Sequence, residues 1–174
     1  MPADATRILG ASVNSVVQAL LNRDAILADF SRAGELHGVQ DRDYHPLSLY
    51  LDLCDYLEAR LGQYAFLRVG RRMAITVMDT AFPLGLHTVE DAIAAIDAAH
   101  QLFCRPVVGA FEVRERSPGR TVLRYTAPYN CTLQEGLFYE VALRYGAADA
   151  TVEHSECRRQ GADACRFEIR HGAR

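Results

Sequence analysis

With 174 residues, 49% of them hydrophobic and 24% charged, the chain has the composition of a soluble globular protein and the length for one substantial core. Its formal net charge of -3 argues against a non-specific nucleic-acid surface, which is normally basic. All 19 cationic residues are arginine, which reads as GC-rich bacterial coding and not as chemistry.

No apolar run approaches the roughly 18 residues of a membrane span. Asn14, Ser15 and Gln18 interrupt the N-terminal apolar pattern, so no signal-peptide core is expected there. The expectation is a cytoplasmic protein whose five cysteines are reduced thiols, metal ligands or redox sensors. With no linker, repeat or low-complexity tract, residues 1–174 read as a single domain.

Along the chain, Val13, Val16, Val17, Leu20 and Leu21 recur at helical spacing. Ile26, Leu27 and Phe30 predict a second helix, ended by Gly34. Pro46 suits a first helical turn; Tyr50, Leu53, Cys54, Leu57 and Leu61 form the stripe behind it, closed by Gly62. Phe66, Gly70, Met73 and Val77 outline the next helix. "TVED" at Thr88–Asp91 is a capping box, in which the threonine oxygen accepts a backbone N–H three residues on. The helix it opens presents Ile93, Ile96, His100 and Phe103 on one side.

The period changes after residue 109. "AFEVRERSPGRTVLRY" predicts a β-hairpin turning at Ser117–Arg120. "TLQE" at Thr132–Glu135 is a second capping box, opening a helix that Gly146 stops, and the chain closes on another hairpin. The fold class is therefore α+β: a helical N-terminal half packed on a C-terminal antiparallel sheet with one long helix.

The last hairpin carries "EHSECRRQGADACRFEI". Cys165, Phe167 and Ile169 share one strand face, so Cys165 points inward. His154 and Cys157, three apart on a regular strand, would face opposite sides, and only a bend at Ser155–Glu156 lets both reach one ion. Cys131 lies just before the predicted capping box, where the positive helix end favours its thiolate. Cys131, His154, Cys157 and Cys165 would form a closed Cys₃His zinc set, with Glu153 or Glu156 as substitutes for the histidine. The spacing is equally compatible with buried, reduced thiols. His100, on an apolar helix face, is either a hydrogen-bonded core residue or a heme-iron ligand.

These stretches resemble the heme–nitric oxide/oxygen binding (H-NOX) domain family, and are similar to the related 4-vinyl reductase domain family. "YHPLSLYLDLCDYLEARLG" resembles the family's early tyrosine–proline helix, and "TVEDAIAAIDAAHQLF" its proximal-histidine helix with His100 at the ligand position. "PVVGAFEVRERSPGRTVLRY", "EGLFYEVALRYGA" and "CRRQGADACRFEI" resemble its hairpin, its long C-terminal helix and its cysteine-bearing end. The resemblance implies heme b on His100, with Tyr125 against its propionates, and zinc on Cys131, His154, Cys157 and Cys165. It further implies gas sensing of the nitric-oxide type, signalled to a histidine kinase or a cyclic-dinucleotide enzyme, with thiol oxidation releasing zinc as a second input. A homodimer is left open.

One departure bears on heme. The family's propionate clamp is Tyr-x-Ser-x-Arg; here "YTAPY" keeps Tyr125 but puts Ala127 for the serine and Tyr129 for the arginine. The missing guanidinium removes a contact worth about 1.5–3 kcal/mol. The alternative is a heme-free small-molecule binder of the 4-vinyl reductase type with structural zinc, its pocket drawn from Phe103, Phe111, Tyr125 and Phe138. Absence of tryptophan removes an aromatic donor that phenol-sensing relatives of that type use. An enzyme of tetrapyrrole metabolism finds no support, since the chain has no Gly-rich phosphate loop, nucleophile elbow or HExxH.

Overall fold

The computed structural model describes residues 5–146 and 149–172. Strand β1 (Arg7–Leu9) runs into helix α1 (Gly10–Gln18), followed by two short helices, α2 (Arg23–Leu27) and α3 (Ala33–Leu36). Strand β2 (Tyr44–Pro46) leads into α4 (Leu47–Leu61), and α5 (Gln63–Ala81) follows directly. Helix α6 (Val89–Phe103) runs into β3 (Cys104–Arg105). A hairpin of β4 (Phe111–Ser117) and β5 (Arg120–Tyr125) precedes α7 (Cys131–Tyr145), β6 (Thr151–Glu156) and β7 (Cys165–Arg170). No helix among the described residues is long and apolar enough to cross a membrane.

The helical half and the sheet half follow the sequence pattern. Thr88 caps α6, its Oγ1 accepting the Asp91 N–H at 3.1 Å. Gly62 ends α4 with φ at +79°, a conformation that favours glycine. The C-terminal sheet is antiparallel in the order β4-β5-β7-β6. Its register sets Tyr125 opposite Cys165, Leu123 opposite Phe167 and Thr121 opposite Ile169, and all six side chains are buried.

Helices α5 and α7 cross at backbone contact. A Cβ on Gly70 would lie 2.2 Å from the Leu133 carbonyl oxygen, and one on Gly136 would lie 2.2 Å from that of Leu67. No side chain fits at either position, so the two glycines set the helix spacing.

Four local expectations are corrected. Helix α1 ends at Gln18, so Leu21 leaves the apolar stripe and is 88% exposed. Gly34 lies inside α3 and ends no helix; the Ile26–Phe30 segment is the short α2 with Phe30 buried beyond it. Pro46 precedes α4 at its N-cap. Helix α7 starts one residue before Thr132 because Asn130 is the cap: its side-chain oxygen accepts the Thr132 and Leu133 N–H groups at 2.9 and 3.3 Å. Thr132 Oγ1 donates instead to Glu58 at 2.5 Å. A second, three-stranded antiparallel sheet in the order β2-β1-β3 is also present, tying the chain start to the end of α6.

Candidate functional site

Two constellations of polar atoms stand out in the interior. The first is the cysteine–histidine group. Cys131 opens α7, His154 lies on β6, Cys157 follows β6, and Cys165 opens β7. The potential ligand atoms of these four residues all lie within 4.8 Å of one another. The Cys131 and Cys165 sulfurs are 3.1 Å apart, and Cys157 and Cys131 are 3.9 Å apart.

The bend that the sequence required is present. The β6–β7 register shifts between His154 and Glu156, a bulge that turns His154 and Cys157 toward one point. The His154 ring stacks on Phe167 at 4.2 Å and 13°, which fixes its plane, and its Nε2 is buried without a hydrogen bond. Glu153 and Glu156 are exposed and stand outside the group. Among the described residues no cysteine is in a disulfide.

Protonation here is the reverse of the expectation for Cys131. The hydrogen bond between the two sulfurs holds Cys131 protonated and pushes Cys165 well below the usual thiol range. The His154 imidazole and the Arg158 backbone N–H, 3.4 Å from Cys165 Sγ, lower Cys165 further. Those donors outweigh the helix end at Cys131.

The group fits a soft tetrahedral cation. Three thiols and an imidazole are a zinc donor set, and two thiolates on one zinc sit about 3.8 Å apart, given Zn–S of about 2.3 Å. The Cys131–Cys165 pair, at 3.1 Å, must open to meet that spacing, and the Cys157–Cys131 pair, at 3.9 Å, already does. A shell built from a helix start, a bulge and a turn is held by Glu58 of α4. Glu58 accepts from Asn130 at 2.9 Å, from Thr132, and from Arg159 in the turn between Cys157 and Cys165.

The second constellation surrounds a cavity of about 650 Å³ bounded by α1, α5, α6 and α7. His100, 4% exposed, lines it together with Phe103 and Phe111. Tyr125 and Phe138 lie instead in the core beside it and do not line it. The Tyr125 hydroxyl donates to the Tyr129 carbonyl at 2.9 Å. Phe138 packs on Phe167 with ring centroids 4.9 Å apart.

Two lining residues escaped the sequence reading as pocket groups. Tyr129, noted there only as the substitute for an arginine, sets its hydroxyl 2.9 Å from His100 Nδ1. Gln134 on α7 is 3% exposed, and its Oε1 has no hydrogen-bond partner. The available signal was a polar residue on a helix face shared with Leu133 and Leu137.

His100 has one partnered ring nitrogen, Nδ1, and one buried nitrogen, Nε2, without a hydrogen-bond partner. Burial, and then the neighbouring Cys104 thiol, raise the Tyr129 hydroxyl well above the usual phenol range, so it stays protonated. Cys104 Sγ in turn donates to the Pro106 carbonyl at 3.6 Å. In the tautomer with its proton on Nδ1, His100 donates to the Tyr129 oxygen. This leaves His100 Nε2 as a buried lone pair without a partner. Burial also lowers the His100 pKa, with Asp97 and the Val108–Gly109 backbone opposing, so the ring stays neutral. A neutral imidazole with one bound and one free nitrogen is the form that ligates a metal.

The cavity therefore fits a heme in its axial donor and fits its propionates poorly. Arg42 is the single cationic side chain among the lining residues.

The arrangement is an α+β fold with a helix-borne histidine on a cavity. Its structural counterparts are H-NOX proteins. An H-NOX protein from S. oneidensis in the Fe(II)NO ligation state superposes with a TM-score of 0.65 at 18% identity, covering 94% of this chain and 99% of that one. Unliganded Fe(II) H-NOX from K. algicida gives 0.69 at 13% identity, covering 96% and 98%. The H-NOX domain from Shewanella oneidensis in the Fe(II)CO ligation state gives 0.61 at 19% identity, covering 90% and 97%. No protein-family profile and no curated sequence matches the chain. The chain has an H-NOX-like fold.

Proposed function

We propose that this chain is a sensor domain, not an enzyme, that takes heme in the cavity on His100 and zinc on Cys131, His154, Cys157 and Cys165. The observation that carries the heme reading is the buried, unpartnered Nε2 of His100 on a cavity of about 650 Å³ within this fold. Heme, when bound, supplies an iron that takes a diatomic gas. His100 would be its protein ligand, Tyr129 would orient that imidazole through Nδ1, and Phe103 and Phe111 would cover the ring system. Arg42 is the candidate for a propionate, in place of the clamp that "YTAPY" lacks. Zinc, with four protein ligands and no open position, would fasten the β6–β7 turn to the start of α7. The resemblance assigns the readout to a partner such as a histidine kinase or a cyclic-dinucleotide enzyme.

The test is reconstitution. Purified protein given heme should develop a Soret band at one equivalent, and His100→Ala should shift or lose it. A wild-type protein that takes up no heme refutes this reading. It would favour the second one, a heme-free organic ligand of the 4-vinyl reductase type. Gln134 supports that alternative, because its buried, unpartnered Oε1 suits a ligand that donates a hydrogen bond.

A further inference from the structure

We infer that Arg158 is a positioning residue that couples the cysteine–histidine cluster to His100 by way of Tyr129. This rests on the zinc reading above. Arg158 directly follows Cys157, and its backbone N–H lies 3.4 Å from Cys165 Sγ. Its guanidinium leaves the turn and donates to two successive carbonyls of the loop after β5, Thr126 at 2.8 Å and Ala127 at 2.5 Å. It also sits over the Tyr125 ring, 5.7 Å from the centroid. Two residues beyond Ala127, the Tyr129 hydroxyl holds His100 Nδ1. One side chain thus grips the peptide that aims the cavity histidine, while its own backbone belongs to the thiol cluster.

The geometry gives the coupling a size. A thiolate pair on zinc stands about 3.8 Å apart, whereas the Cys131 and Cys165 sulfurs are 3.1 Å apart. Ligation therefore moves the Cys165 sulfur, beside the Arg158 backbone, away from Cys131 by several tenths of an ångström. A bidentate guanidinium transmits such a shift because its fork is rigid and both its acceptors are backbone. The hydrogen bond it reaches is 2.9 Å long, and a change of a few tenths there alters how strongly Nδ1–H is held. That in turn sets the basicity of Nε2, the atom offered to the cavity. By linkage, a ligand on His100 must alter zinc affinity by the same factor. A second path of packed rings joins the sites, running from His154 over Phe167, Phe138 and Phe111 to His100. It does not pass through Arg158, so the two can be separated.

The experiment uses the full chain without heme, with its histidine rings labelled with ¹⁵N, titrated with zinc. His100 is assigned by its absence in His100→Gln. In the wild type, one equivalent of zinc should shift the ring nitrogens of both His154 and His100. In Arg158→Gln, zinc should still bind at one equivalent and move His154, while the His100 response is lost. Tyr129→Phe should behave the same way, and it decides the matter should Arg158→Gln fail to fold. A wild type whose His154 responds and whose His100 does not overturns the coupling alone. Persistence of the His100 response in either variant overturns the route through Arg158 and Tyr129. Failure of the wild type to take up zinc overturns the metal reading, and this inference with it.

Discussion

Replacing Gly136 by alanine puts a methyl group where the structure has none to spare. The new Cβ would meet the Leu67 carbonyl oxygen at 2.2 Å, the Arg71 nitrogen at 2.9 Å and the Gly70 Cα at 3.1 Å. Carbon–oxygen contacts settle near about 3.3 Å, so α5 and α7 must part by roughly 1 Å at their crossing. The obstacle is backbone on both sides, and no rotamer change relieves it. Overpacking of that kind costs up to about 3 kcal/mol, and alanine's better helix propensity returns about 1. The net loss is about 2 kcal/mol, or a fall in Tm of about 4–8 °C for a chain of this size. Cavity residues lie on both helices, Met73, Thr76, Val77 and Thr80 on α5 with Gln134 and Leu137 on α7, so ligand uptake should weaken as well. Thermal unfolding followed by circular dichroism reads the first effect. A Tm equal to or above that of the wild type would refute the backbone contact as the determinant of helix spacing.

Three further outcomes follow from the same geometry. Cys165→Ser should lose the equivalent of zinc that metal analysis finds in the wild type, whereas Cys54→Ser, buried on α4 and outside the cluster, should keep it; zinc retained in Cys165→Ser would show that the metal is elsewhere. Burial raises the Glu58 pKa, but donation from Thr132, Arg159 and Asn130 outweighs it and holds the carboxyl below its ordinary value. Glu58→Gln should therefore cost about 2 kcal/mol in urea unfolding, with an unchanged m-value, since it weakens charge-assisted bonds in a half-buried site. Burial lowers the His100 pKa, so the unfolded chain binds a proton more readily and stability contributed by this ring falls as pH drops below about 6.5. Stability measured between pH 5 and 8 should show that loss in the wild type, and His100→Gln should flatten it; identical profiles would remove His100 from the account.

Much of the architecture could be read from local chemistry, because the signals were local. Thr88 and Asp91 are three residues apart, and the hairpin turn at Ser117–Arg120 is held within its own strands. The bend at Ser155–Glu156 was forced by strand geometry once His154 and Cys157 had to share an ion, and the bulge lies there. What escaped was decided by distant partners. Strands of three, three and two residues (β1, β2 and β3) are too short to show alternation and pair across long separations. Thr132 is an ordinary capping residue by sequence, yet Glu58 from α4 draws its hydroxyl away and leaves Asn130 as the cap. Arg158 gave no periodic or motif signal and Tyr129 stood only as the replacement for a motif arginine, since their roles come from a loop and a turn meeting across the sheet.

Helix α7 joins the two constellations. Its first residue, Cys131, belongs to the thiol cluster; within the next two turns Gln134 and Leu137 line the cavity, and between them Gly136 touches α5 at backbone distance. A helix pinned at its start by Asn130 and Glu58 and against α5 at Gly136 has little freedom to slide locally. Displacement at Cys131 must then appear either as movement of the whole helix or as movement of the lighter turn that faces it. The turn carries only the β6–β7 connection and Arg158, whereas the helix carries the core contacts of Leu133, Leu137, Phe138 and Val141. Moving those buried side chains out of register would forfeit close packing at several kcal/mol, far more than shifting a half-exposed turn. The turn is therefore the element that yields, and what it holds at its far end is the loop that leads to His100.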